Sequence, residues 1–194
     1  MQLRAGDPAR YLAGDDVIEV QAPAVVSLAA ELRAASPDDE AFARAAFEWV
    51  RDRIAHSVDA QDPRVTLTST EVLTEGVGLC FAKSHLLAAV LRAGGIPTGF
   101  CYQRLAEGDT FLVHGLVAVH LNGGWHRQDP RGNKEGVDAQ FSLNREQLAW
   151  PTDSAGEIDY PEVRVSPAPE VVACLRGATD ALELCATGLP STLA

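Results

Sequence analysis

The stretch GVGLCFAKSHLLAAVLRAGGIPTGF, residues 76–100, carries three local signals in succession. From Cys80 onward, Leu86, Leu87, Val90 and Leu91 together with four alanines wrap most of a helical circumference, so the spacing predicts a helix over 80–93 buried on nearly all sides. Gly94-Gly95 ends it, and Pro97 forbids its continuation. From Thr98 the pattern turns extended. Cys80 therefore opens a core helix, where unpaired N–H groups and a partial positive charge favour a thiolate. Gly76 and Gly78 just before it permit close backbone approach by a substrate, and local N–H groups suit an oxyanion. The plainer reading of Cys80 is a small residue packed under that helix.

Working outward, a short strand is predicted at Val17–Val20 and a helix from about Pro23, with Val25, Leu28, Ala29 and Leu32 on one face. SPDDE signals a second helix, with Ser36 as its cap and Pro37 in the first turn. That helix sets Phe42, Ala46, Trp49 and Ile54 on one stripe and Arg44, Glu48 and Asp52 on another. A helical turn is predicted at Thr70–Glu75, stopped by Gly76. After residue 97 come three strand patterns, TGFCYQRL, FLVHGLVAVHL and GWHRQD, the last two joined by a hairpin at Asn122-Gly123. Beyond them we expect a short helix at Arg145–Trp150 and a final one over about Glu170–Thr187. Helices first and antiparallel strands second make an α+β chain, with N-terminal helices and a buried central helix packed on the sheet. No repeat or linker interrupts it, so residues 1–194 are read as a single domain.

The chain has 194 residues, 46% hydrophobic and 22% charged, which suits one ordinary packed core. Its net charge of −11, with no compact Lys/Arg block, opposes nucleic-acid and anionic membrane partners. The first twenty residues carry Arg4, Asp7, Arg10, Asp15 and Asp16 rather than a signal-peptide apolar run, and no run approaches the ~18 apolar residues of a membrane span. The expectation is a cytoplasmic protein. Its four cysteines, Cys80, Cys101, Cys174 and Cys185, form no CxxC pair and are expected to be free thiols, the last three as small hydrophobes.

A nucleophilic thiol needs a base beside it. His85 lies five residues along the helix from Cys80, too far round for contact, and His56 reads as the end of a helix. With a two-residue turn at Asn122-Gly123, paired positions sum to 245, so Asp129 falls opposite Leu116. It then shares a sheet face with His114 one diagonal step away, about 7–8 Å between backbones. An Asp there fixes the imidazole's tautomer and orientation. His120 sits on the same face but ~20 Å along the strand, so the two cannot share a metal. No metal and no cofactor is expected. Each residue also has a bland explanation: a core thiol, a satisfied strand histidine, an Asp-Pro turn. Arg131 and Asn133 follow Asp129 closely enough to touch a substrate, but their plainer reading is a solvated turn.

These segments, with HGLVAVHLNGGWHRQDPRGN after the central helix, resemble the core of the transglutaminase-like superfamily, relatives of papain-type cysteine proteases. The likeness covers about residues 65–133: a G-x-C opening a helix, R-A-x-G-I-P closing it, a strand histidine, then Gly-Trp and Asp-Pro. It implies Cys80 as nucleophile, His114 as general base and Asp129 as orienting acid. One departure is that HGL stands where the family has His-Ala-Trp, so the aromatic beside His114 is missing. The resemblance implies an amide substrate, whether peptide, protein or small molecule. Hydrolysis is favoured, because nothing in the sequence suggests how water would be kept out. A binding module that keeps the fold without the chemistry, and an amide-forming transferase or cyclase, are the alternatives.

Overall fold

The computed structural model describes residues 1–194, and its centre is the segment just quoted. Helix α1 spans Pro23–Ala34 and α2 spans Asp39–Arg53. A two-residue strand β1 (Ala55–His56) follows, then the short α3 (Ser57–Ala60) and α4 (Ser69–Glu75). Strand β2 (Val77–Gly78) leads straight into α5, Cys80–Ala93. Every residue of α5 from Cys80 to Arg92 is buried, as its all-round apolar pattern requires. Helix α4 shows why its neighbour starts where it does. Thr68 and Glu71 open it with a reciprocal capping box, and Gly76 at φ 68° ends it in the left-handed region.

The sheet is antiparallel, in the order β5-β4-β3-β6: β3 is Thr98–Glu107, β4 Thr110–Leu121, β5 Gly124–Gln128 and β6 Ile158–Asp159. Asn122 (φ 52°) and Gly123 (φ 78°) form the turn between β4 and β5. It pairs Leu121 with Gly124 and Val117 with Gln128, which is the register expected for a two-residue loop. One face of the sheet packs on α5 within a core that includes Phe42, Phe47, Phe81, Leu87, Phe100 and Val117. The other face carries a small second cluster of Tyr11, Cys101, Leu116, Ala118 and Val163. No helix is long and apolar enough to cross a membrane.

Several local expectations are corrected. Val17–Val20 forms no strand, because the Asp15 carboxylate accepts the N–H groups of Val17 and Ile18 and turns the chain. The cap of α2 is Asp38, which accepts from Ala41 N–H, while the Ser36 hydroxyl donates back to Leu32. His56 does not end a helix but sits in β1, paired with Gly78. Arg145–Trp150 is not helical; Gln147 instead bridges to Gln140. The final helix is broken in two. Helix α6 (Pro169–Gly177) stops, and Asp180 caps a new turn, α7 (Ala181–Glu183), running into a π-helical turn at Leu184–Gly188.

Candidate active site

Two contacts fix the start of α5 against β4. Phe81, next to Cys80, lies on Gly115, where an added methyl group would stand 2.5 Å from its ring. The Ser84 hydroxyl donates to the Gly115 carbonyl at 3.3 Å. Gly115 follows His114 directly, so the docking that admits Phe81 also sets the first turn of α5 beside His114. This explains the glycine in HGL, since a side chain there would displace the central helix.

His114 and Asp129 are brought together as the hairpin register requires: His114 Nε2 lies 2.8 Å from Asp129 Oδ2. Asp129 is fully buried, and its two oxygens also accept the N–H groups of Ala149 (3.0 Å) and Arg131 (3.1 Å). Burial by itself would raise this carboxyl, but His114 and those two N–H groups hold it below the usual carboxylate range. Burial likewise pushes His114 down, but Asp129 on one side and Cys80, as charge and hydrogen-bond partner, raise it to about 10. The imidazole therefore bonds the carboxylate directly and responds to the nearby sulfur. Cys80 is 7% exposed and opens a helix with no side-chain cap, so its first-turn N–H groups are claimed by no capping side chain. The other sulfurs are free but placed differently: burial pushes Cys101 up to about 12 and Cys174 to about 11, and raises Cys185.

The surroundings of His114 come from residues that no sequence pattern brings to it. Trp150 stands edge-on to the imidazole, with ring centroids 5.0 Å apart, and so supplies from a loop the aromatic that HGL lacks. Arg131 is not a solvated turn residue. It is 3% exposed, lies 5.2 Å over the Trp150 ring and forms an ion pair with Asp59, which Lys134 joins at 2.9 Å. Lys83, one turn past Cys80, is fully buried and donates to the Arg51 and Ile54 carbonyls. It thereby caps the end of α2 and ties it to the first turn of α5. Three other histidines lie elsewhere. His85 bonds the Leu67 carbonyl at 2.8 Å, His126 is 3.2 Å from Leu121 O, and His120 packs on Trp125.

Beside this site runs a cavity of about 280 Å³ whose lining includes Leu105, Leu112, Trp150 and Pro151 together with Glu107 and Asp153. Trp150 is common to the cavity and to the packing on His114, so a molecule held there would adjoin the imidazole.

A family model for the transglutaminase-like superfamily matches residues 26–130, just over half the chain. No curated protein matches the sequence. Among solved structures, a Cytophaga hutchinsonii protein provisionally described as a cysteine protease aligns at 17% identity with a TM-score of 0.56, over 65% of this chain and 42% of its own. The periplasmic domain of TgpA from Pseudomonas aeruginosa aligns at 24% identity and a TM-score of 0.49, over 63% of this chain and 48% of its own. The chain thus covers less than half the length of either structure. At these identities the likeness is one of fold: a mixed helix and sheet architecture of the transglutaminase and papain type.

Proposed function

The chain belongs to the transglutaminase-like superfamily, and we propose that it is a cysteine-dependent acyl-transfer enzyme acting on amide or peptide bonds. The observation that carries this reading is the buried His114–Asp129 pair at 2.8 Å, whose imidazole is raised by Asp129 and by Cys80. Cys80 attacks the carbonyl, His114 receives the thiol proton and returns it to the leaving amine, and a thioester forms. Asp129 holds the ring in one orientation and stabilises its charged form. Water then attacks the thioester, with His114 as general base. Of the two outcomes, attack by water and transfer to an amine, we favour hydrolysis.

The reading sets a pH dependence. The leaving amine needs a proton, so turnover lasts only while His114 keeps its own. Its pKa is raised, so the charged ring persists above 6.5, where an ordinary histidine loses its proton, and is lost toward about 10. Dye release from a library of peptide aminomethylcoumarin amides should therefore hold through neutral pH and fall on an alkaline limb well above 6.5. A limb at the ordinary histidine value, or no release by any member of the library, contradicts the proposal.

A further inference from the structure

We propose that His56 donates an N–H to the oxyanion that forms when Cys80 attacks a carbonyl, an inference that rests on the acyl-transfer reading above. In that step the sulfur–carbon bond forms and the carbonyl π pair moves to oxygen. The oxyanion then collapses, the carbon–leaving-group bond breaks, and the proton on His114 goes to the leaving group where that group requires one. Catalysis at this point needs donors aimed at the oxygen before charge develops there.

The position of His56 follows from β1. It pairs in parallel register with Gly78, two residues ahead of Cys80. In-register residues of paired strands point to the same face. On that face a Cβ at Gly78 would meet the Ala82 side chain at 3.0 Å and the Lys83 backbone nitrogen at 3.7 Å. The His56 side chain is therefore directed to the same side as the first turn of α5, the turn that Cys80 opens. The ring also feels the charges of Arg131, Asp59, Lys83 and His114, the last of them the candidate base.

Its chemistry suits a neutral donor. Burial first, then the Arg131 guanidinium, push His56 down to about 3, so the ring is uncharged at working pH. A neutral imidazole carries one N–H and one acceptor nitrogen. Nδ1 is buried without a hydrogen-bond partner, whereas Nε2 is not among the buried unpartnered atoms, so Nε2 is the nitrogen that a bound molecule can reach. His56 is unsuited to the base's role, being charged only in strong acid, whereas His114 holds its proton to high pH. The first-turn N–H groups of α5, free of any capping side chain, form the other half of the site.

Two reactions of Cys80 separate this role from general support of the cleft. Acetylation by p-nitrophenyl acetate passes through an oxyanion; alkylation by iodoacetamide does not. His56→Ala should slow acetylation of Cys80, read as the p-nitrophenolate burst and the acetyl mass on that residue, by about 10²-fold. Its alkylation should stay within about twofold of the wild type, and His56→Gln, which restores a neutral N–H, should recover about tenfold of the loss. Unchanged acetylation in His56→Ala overturns the inference. So does an equal loss of both reactions, which would mean that the ring only holds the cleft open. A wild-type chain that is alkylated but never acetylated sinks the acyl-transfer reading itself.

Discussion

Cys80→Ala is expected to bring turnover down to background, a fall on the order of 10⁴–10⁶, while the chain stays folded. The argument for a large kinetic effect is that sulfur is the only atom lost and that no neighbour replaces it. Cys101 lies on β3, where burial pushes its thiol up to about 12, and burial also holds Cys174 and Cys185 above an ordinary thiol. The argument for a small structural effect is equally specific. Alanine is the best helix former, and position 80 makes no hydrogen bond to a side-chain cap that would be broken. Removing one sulfur from a site that is 7% exposed costs about 1 kcal/mol. Dye release from the peptide amides, measured beside a denaturant unfolding curve, gives both numbers. Residual turnover above one tenth of wild type would exclude Cys80 as the nucleophile.

The second large effect is expected at Asp129. Asn fits the space but presents an amide NH₂ where the carboxylate now only accepts. Oδ2 faces His114 Nε2 and the Ala149 N–H, and Oδ1 faces the Arg131 N–H. Whichever way the amide is turned, a donor meets a donor. One orientation leaves the Arg131 N–H without an acceptor; the other strands Ala149 and opposes the imidazole. A buried N–H left unpaired costs about 1–3 kcal/mol, so Asp129→Asn should lower unfolding stability by that amount. The charge that sustains the imidazolium also disappears. Turnover should fall about 10³–10⁴-fold, and the alkaline limb should move down toward the ordinary histidine range. Loss of stability with turnover and pH profile intact would make Asp129 a structural residue alone.

Part of this arrangement can be read from residues close together in the chain. The helix from Cys80 follows from its own apolar spacing and the Gly-Gly-x-Pro stop. The His114–Asp129 pairing follows from one dipeptide, since Asn122 and Gly123 both take positive φ and so fix the register of everything after them. Local pattern and structure differ where a side chain captures backbone groups, as Asp15 does at Val17 and Ile18, or where a helix-like composition is drawn into a bridge, as at Gln147. The residues around the imidazole were not legible for a different reason. Trp150, Arg131 and Asp59 come together from loops and short elements across the chain, and no periodicity links them. Arg131 looked like a surface turn because its partner lies in α3. The aromatic beside His114 looked absent because it arrives from residue 150 rather than residue 116.

The most direct measurement is the rate of iodoacetamide alkylation at each cysteine near pH 6, resolved by peptide mass, in the wild type and in His114→Ala. An ordinary thiol is only about 0.3% ionised there, so a sulfur paired with an imidazolium stands apart. Wild-type Cys80 should react at least about tenfold faster than Cys101, Cys174 and Cys185, and His114→Ala should erase that advantage while the protein remains folded. Equal, slow labelling of all four sulfurs in the wild type, or fast labelling of Cys80 that survives the loss of His114, would contradict the pairing on which the mechanism rests.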